Sequence, residues 1–413
     1  MGRENRLRSI AVVATADCNL RCRYCYQDAK KPRAVQWPVL RAAIDRLVRS
    51  TEREVSLGFV GGEPCLVFPL VRRAVLYAEK SCPGNRRLEF DFVTNGTLLG
   101  RREVGFLAAH DCNLQLSFDG VRAAQDLRGK GTFRRLDRLL DRLQLEQPQF
   151  FRNRLRIAVT LSTPAIPRLS DSIRYLLQKR APEIAVSPAM GQAASWHSAD
   201  IGMLDRQFGP IFESSVRLYA DTGRVPLLMF RKQHPDSSHK GHGPLICNVP
   251  EARTLTVDVD GQVYACPTFA ESYQTFPDTS LRHHLTAMRL GDIRDPELPD
   301  RLKGLPAAAK AAGIFHAKET KYSSYGRCAD CEYFGTCLVC PMSVAHDPNH
   351  ADPNRIPDFL CAFSQVMLTY RERFPRQPTT QEILTGRAPV PRLVRELLEA
   401  TGRRAGPRSG PEA

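Results

Sequence analysis

The sequence predicts an α/β chain in which six βα units curl into a partial parallel barrel and a smaller cysteine-rich unit follows. Three observations carry this reading. From Ser9 to about Met190, short apolar runs rich in β-branched and aromatic residues alternate with longer helical stretches. The chemically unusual residues follow the apolar runs and do not precede them, as expected where chemistry collects at the C-terminal ends of parallel strands. All but Cys65, Cys82 and Cys112 of the thirteen cysteines fall into spaced groups.

The first strand, Ser9–Ala14, runs into Cys18-Asn19-Leu20-Arg21-Cys22-Arg23-Tyr24-Cys25. This is C-x3-C-x2-C with an aromatic residue before the third cysteine. Three thiolates so close can hold three irons of a [4Fe–4S] cube, which four cysteines normally hold. One iron is then left open to a ligand that is not protein. Structural zinc is the alternative reading. It prefers a fourth ligand nearby, and no further cysteine or histidine lies within the next thirty residues.

The later strands are expected at Val55–Val60, Leu88–Thr94, Leu114–Asp119, Arg154–Leu161 and Glu183–Pro188. The helices between them are expected at Pro38–Ser50, Leu66–Glu79, Arg101–Ala109, Phe133–Leu143 and Arg168–Gln178, with Pro38 suited to a first helical turn. The six βα units imply a parallel sheet with right-handed crossovers. Strand 2 ends in Gly61-Gly62-Glu63-Pro64, strand 3 in Thr94-Asn95-Gly96-Thr97, and strand 4 in Ser117-Phe118-Asp119-Gly120. Each alone reads as a turn; their order after successive strands is the specific signal.

Residues 191–246 read as a bridge. A helix over Asp200–Asp221 is followed by a polar stretch, Arg231–Gly243, with His234, His239 and His242. Cys247 then precedes a hairpin, Arg253–Asp258 and Gln262–Tyr264 with Asp260-Gly261 at its turn, and Cys266 follows it. Further on come Cys328-x2-Cys331-x5-Cys337-x2-Cys340 and Cys361. A zinc knuckle would explain the four-cysteine run but not the hairpin pair or Cys361. After Tyr370 the composition turns to Arg, Pro, Thr and Gly, with one short helical stretch at Pro391–Ala400 and disorder expected from Thr401. The expected units are therefore 1–190, 191–246, 247–370 and 371–413.

The net charge is +15. The arginines are scattered over helices (Arg41, Arg46, Arg49; Arg134, Arg135, Arg138, Arg142) and form no single stripe interleaved with aromatics. Nucleic acid is therefore not the expected partner. The polar start and the absence of any apolar run of spanning length predict a cytoplasmic chain with no membrane association. A reducing compartment makes the cysteines metal ligands before disulfides.

The cysteine loop and the ordered strand ends resemble the radical S-adenosylmethionine (SAM) superfamily, and the second cysteine set resembles its SPASM extension. The resemblance spans residues 9 to about 365. It implies a partial (β/α)6 TIM-like barrel followed by a small Cys-rich SPASM domain with a β-hairpin and helices. It implies a SAM-binding [4Fe–4S] cluster on Cys18, Cys22 and Cys25. Two auxiliary clusters follow, one on Cys247, Cys266 and Cys340 and one on Cys328, Cys331, Cys337 and Cys361. Relatives usually have x3 between the last two cysteines of the four-cysteine run, and often a further cysteine before Cys247. Both are absent here, so the Cys247 cluster is expected to have an open iron or a ligand such as His242. For SAM, the resemblance places Tyr24 near the adenine, Gly61, Gly62 and Glu63 at the methionine end, and Ser117 and Asp119 at the ribose side. Asn95 bridges polar groups at the mouth, and Arg128 matches an arginine that pairs with the SAM carboxylate. Relatives usually have His-Asp upstream of that arginine; Gln125-Asp126 here sits at different spacing. Cys65 follows Glu63-Pro64 and is a candidate hydrogen donor to a substrate radical; packing is the alternative for it, and the expectation for Cys82 and Cys112.

The implied reaction is reductive cleavage of SAM to a 5′-deoxyadenosyl radical that abstracts hydrogen from a ribosomally made peptide, forming an intramolecular crosslink (C–C, C–O or thioether). The alternatives are a sulfatase-type maturase making formylglycine, a peptide epimerase, and an iron–sulfur protein that only carries electrons. Sulfatase-type relatives place an acidic residue after the cysteine matching Cys266, where this chain has Pro267-Thr268. The expected partners are a peptide, its leader acidic to match the basic chain, an electron donor of flavodoxin or ferredoxin type, and a separate peptide-recognition protein. The cluster loop begins at residue 18, too early for a recognition domain before it.

Overall fold

The computed structural model describes residues 6–27, 30–189, 196–231, 253–272, 288–311, 318–337, 352 and 354–377. Six strands form the barrel wall: β1 (Ser9–Thr15), β2 (Glu54–Gly61), β3 (Arg87–Thr94), β4 (Asn113–Ser117), β5 (Leu155–Leu161) and β6 (Ile184–Pro188). They pair in chain order, every pair parallel. The helices between and after them are α1 (Trp37–Val48), α2 (Phe68–Ser81), α3 (Arg101–Ala109), α4 (Arg122–Gln125), α5 (Thr132–Glu146), α6 (Pro148–Arg154) and α7 (Leu169–Gln178). The β1 residues Ile10, Val12, Val13 and Ala14 are all buried, the near-continuous apolar run of a strand covered on both faces. The helix α1 buries Val39, Leu40, Ala43, Ile44 and Leu47, a stripe at helical spacing laid against that wall.

Two departures from expectation bear on the barrel wall. The short helix α6 starts on Pro148, whose missing N–H costs nothing in a first turn, and it moves the start of the fifth strand from Arg154 to Leu155. The hairpin expected in the cysteine-rich unit is part of the barrel sheet. The strand β7 (Thr254–Val257) pairs parallel with β1, and β8 (Gln262–Tyr264) and β9 (Arg289–Asp292) extend it antiparallel. The nine-stranded order is β6-β5-β4-β3-β2-β1-β7-β8-β9. At the far edge, Ile184 of β6 forms a single bridge with Leu227.

The helix expected at Asp200–Asp221 is α8 (Ile201–Thr222), closed by Gly223 at φ +70°. It packs against α7 on one side and α10 (Asp358–Arg373) on the other, while α9 (Leu298–Ala311) lies beside β9. The α8–α10 seam is aromatic: Phe208–Phe363 at 5.8 Å, Phe212–Tyr370 at 5.4 Å and Tyr219–Phe374 at 5.8 Å between centroids. Each such pair adds about 0.5–1.5 kcal/mol beyond the area it buries. The seam fixes the helix that carries Cys361 to the barrel. That helix runs past Tyr370, where composition suggested a break, to Arg373. Two short strands, β10 (Tyr322–Ser323) and β11 (Gly326–Arg327), form a tight turn beside it. Cys247, Cys340, His234, His239, His242 and the stretch at Pro391–Ala400 lie outside the described residues. Among the described residues no helix is long and apolar enough to cross a membrane.

Candidate functional site

The loop after β1 is closed at its base. Thr15 Oγ1 donates to Arg33 O at 2.8 Å and accepts from Asp17 N at 3.1 Å, and Ala16 N donates to Arg33 O at 2.8 Å. Cys18 is buried; Cys22 and Cys25 are half-buried. Burial raises the Cys18 thiol above its ordinary value and pushes Cys22 up to about 11. In each case Cys25 adds to the rise, so the thiols lie near enough to feel one another, while Lys30 opposes it at both sulfurs and Arg128 at Cys22. Cationic neighbours of this kind favour thiolate ligands. Among the described residues no three His, Cys, Asp or Glu side chains converge on one point as ligands of a single ion. A cubane asks for one thiolate per iron, and the three loop cysteines fit that requirement.

The end of β2 is pressed onto this loop. Gly62 N donates to Thr15 O at 2.8 Å and Glu63 N to Asp17 O at 2.9 Å. A Cβ on Gly62 would lie 1.9 Å from Asp17 O, and one on Gly61, at φ +133°, 2.3 Å from Thr15 O. The close approach these glycines permit is therefore to the cysteine loop itself. Glu63 has no exposed surface. Its Oε1 accepts from Cys65 N at 3.0 Å and Thr94 Oγ1 at 2.6 Å, and its Oε2 from Asn95 N at 2.7 Å. The expectation aimed this carboxylate at a ligand amino group, but its acceptor positions are filled from within the protein, three by these bonds and a further one by the Cys65 side chain. Burial raises its pKa and those same hydrogen bonds oppose the rise.

The end of β3 continues the network. Asn95 Oδ1 accepts from Thr97 N at 2.9 Å and Thr97 Oγ1 at 2.6 Å, while its Nδ2 donates to Asn19 Oδ1 at 2.9 Å. Asn19 Nδ2 returns a bond to Thr97 Oγ1 at 2.8 Å. Asn95 Nδ2 also lies 3.9 Å from Cys18 Sγ. Asn19 and Thr97 were not singled out from sequence; their signal was adjacency to Cys18 and Asn95. The Cys65 sulfur lies 3.6 Å from the Thr94 hydroxyl, and burial followed by the Glu63 charge holds its pKa far above the ordinary thiol value. Cys112 is buried and Cys82 half-buried, in line with packing roles.

Ser117 closes β4, in register with Ala158 of β5. Just beyond it, Asp119 and Arg128 form a buried pair: Arg128 Nη2 donates to Asp119 Oδ1 at 2.9 Å and Nε to Oδ2 at 3.2 Å. Thr160 N donates to the same Oδ1 at 2.9 Å, and the Tyr24 hydroxyl donates to Oδ2. The Arg128 guanidinium carbon stands 5.4 Å from the centroid of the Tyr24 ring. Burial works against the Arg128 charge, yet Asp119 holds its pKa above the ordinary value. Arg128 and Asp119 were expected on opposite ends of a ligand. Here they are joined to each other, and with Arg23 N on Leu127 O at 2.9 Å they clamp the cysteine loop from β4 and β5.

The second cysteine set is brought together in part. Cys328, Cys331, Cys337 and Cys361 line one cavity of about 460 Å³, with Lys318, Tyr325, Ile356 and Gln365 among its other walls. Burial pushes the Cys328 thiol up to about 11, and Cys361, Cys337 and Cys331 each add to it. Cys361 sits on α10; the other three come from the segment between β11 and residue 337. Cys266 follows β8, its sulfur 3.2 Å from Thr268 Oγ1, while its expected partners Cys247 and Cys340 fall outside the described residues.

Residues 12–151 match the family model of the radical SAM superfamily. The chain is 24% identical over 262 residues to a serine-type anaerobic sulfatase-maturating enzyme of Klebsiella aerogenes, covering 60% of this chain and 64% of that enzyme. Two solved structures share its fold. One is anSMEcpe with bound AdoMet and Kp18Cys peptide, at a TM-score of 0.67 and 17% identity, over 88% of this chain and 96% of that one. The other is Streptococcus suis SuiB bound to precursor peptide SuiA, at 0.54 and 15%, over 86% and 76%.

Proposed function

We propose that this radical SAM enzyme, whose cofactors are SAM and [4Fe–4S] clusters, modifies a ribosomally made peptide by hydrogen abstraction and joins two of its positions in an intramolecular crosslink. The observation that supports this most is the convergence of the β2, β3 and β4 ends on the Cys18–Cys25 loop that leaves β1. A peptide substrate is supported by the two peptide-bound neighbours and by the sulfatase-maturating relative.

Cys18, Cys22 and Cys25 would hold the SAM-binding cluster, and Cys328, Cys331, Cys337 and Cys361 an auxiliary one, with Cys266 serving a second. When bound, SAM and its reduced cluster supply a 5′-deoxyadenosyl radical. The protein's part is orientation. Gly61 and Gly62 let the β2 end close on the cysteine loop. Glu63 fixes the β2 and β3 ends to each other through Thr94 and Asn95. Asp119 neutralises Arg128 inside a dry wall, so that neither charge is left buried alone. Asn95 ties the β3 end to Asn19 of the cysteine loop, and Ser117 ends β4. The Cys65 thiol would return a hydrogen to the substrate radical only in an epimerase; in the crosslink, whose product has lost two hydrogens, it packs beside Thr94.

A sulfatase-type maturase is the second reading, favoured by the Klebsiella relative. Against it stands the position after Cys266. Pro267 there opens a short 3-10 turn over Pro267–Phe269, and the nearby Asp258 carboxylate is occupied by Val259 N and the Ser272 N–H and hydroxyl. The test is anaerobic reconstitution with dithionite and SAM. 5′-Deoxyadenosine release together with a peptide that has lost two hydrogens supports the crosslink. Conversion of a sulfatase peptide Cys or Ser to formylglycine, with no crosslink in short peptides encoded nearby, would replace it with the second reading.

A further inference from the structure

The face of α10 that closes the cysteine cavity presents Cys361, Ser364 and Gln365 at i, i+3 and i+4, adjacent positions on a helix surface. Gln365 Nε2 donates to Cys361 Sγ at 3.3 Å. Ser323 Oγ donates to the same sulfur at 3.1 Å from the β10–β11 turn. The serine's proton has a set direction, because its oxygen accepts from Tyr325 N at 3.1 Å and so leaves its own hydrogen for sulfur. The turn is itself anchored: Ser324 N and Oγ donate to the two Asp358 oxygens at 2.8 and 2.6 Å, and Ile356 N donates to Tyr322 O at 2.7 Å. Ser323 is only 8% exposed, so water does not compete for the bond. Ser364 makes a further hydrogen bond, to Cys337.

Hydrogen bonds to ligating sulfur stabilise the more negative oxidation state and raise the potential of an iron–sulfur centre. We propose that Ser323 and Gln365 are positioning residues that set the reduction potential of the cluster held by Cys328, Cys331, Cys337 and Cys361, making it a better acceptor of one electron than the same four thiolates without them. This rests on the reading of that cavity as a cluster site.

The test uses the full-length chain in a Cys18→Ala/Cys22→Ala/Cys25→Ala/Cys266→Ala background, reconstituted anaerobically with iron and sulfide so that this cavity alone reports. Iron content is counted, and a dithionite titration is followed by electron paramagnetic resonance. The parent should hold about four irons per chain, lost on adding Cys328→Ala/Cys361→Ala. Ser323→Ala and Gln365→Leu should each keep the iron and titrate at a more negative potential, the double variant more so, while Ser323→Thr, which keeps the hydroxyl, titrates with the parent. Iron retained with an unmoved potential overturns the proposal and leaves the cluster site standing. A parent without iron overturns both. Loss of iron from Ser323→Ala makes the serine a support for the site and overturns its role in setting the potential.

Discussion

The barrel mouth and the cysteine cavity are built in opposite ways. At the mouth, polar side chains from the ends of β2 to β5 bond chiefly to one another: Glu63 to Thr94 and Asn95, Asn95 to Asn19 and Thr97, Asp119 to Arg128, Thr160 and Tyr24. They stand above a continuous apolar core. In the cavity, side-chain donors bond to sulfur, and the apolar support is a satellite of Ile356 with Leu360, Cys328, Cys337 and Cys361. The first site is organised by its own network before anything binds. The second rests on a small apolar cluster, with its helix held by the α8–α10 seam and its turn by Asp358, and at such sites metal binding contributes directly to folding.

The difference can be broken outright at the mouth. Replacing Cys18, Cys22 and Cys25 together by Ala should reduce 5′-deoxyadenosine release to background and leave the far-UV circular dichroism unchanged. Collapse of the spectrum would mean that the mouth also depends on its cluster for folding. Arg128→Met, which leaves Asp119 buried without its partner, should cost about 3–5 kcal/mol, read as a lower midpoint in urea unfolding. A cost near zero would mean that the pair is solvated.

Ile356→Ala sharpens the contrast from the other side. It should cost about 2–5 kcal/mol, confined to the cavity, so that amide exchange speeds up over residues 318–337 and stays slow in β1 to β5. Uniform acceleration would place both regions in one cooperative unit. Glu63→Gln replaces an acceptor with an N–H that faces another N–H at Asn95 or Cys65, and should cost about 1–3 kcal/mol in thermal denaturation. No loss would mean that one of those bonds is dispensable.

The smallest effect belongs to the seam where β7 joins β1. Glu52 there is paired with Arg253, Arg8 and Arg6. Burial alone would raise the Glu52 pKa, but Arg253 and then the other arginines bring it below its ordinary value. A carboxylate depressed in the folded chain binds its proton more weakly there than in the unfolded chain. Its stabilisation is therefore present above the unfolded value of about 4.3, and drains away as pH falls through the lower folded value. Wild type should be slightly more stable than Glu52→Gln at neutral pH, and the two should converge on acidification. A gap that persists in acid would mean that the pairing does not depend on ionisation.

The sequence by itself determined the order of βα units, the cysteine spacing, and the rule that special residues follow strands, because these are local signals: short apolar runs, helical stripes, and ligands a few residues apart. Arg101–Ala109 coincides with its expected helix to the residue. Only the tertiary structure decided which polar groups answer one another. Glu63 meets Thr94, Asp119 meets Thr160 and Asn95 meets Asn19, across 31, 41 and 76 residues. Nothing local in Glu63-Pro64 says that the acceptor positions of that carboxylate are already filled. The attachment of β7 to β1 was equally hidden, because a hairpin carries its own turn signal but no mark of the edge it will join. Ser323 became visible only once the β10–β11 turn and α10 were set side by side, since a serine beside a tyrosine has no sequence sign of a sulfur thirty-eight residues away.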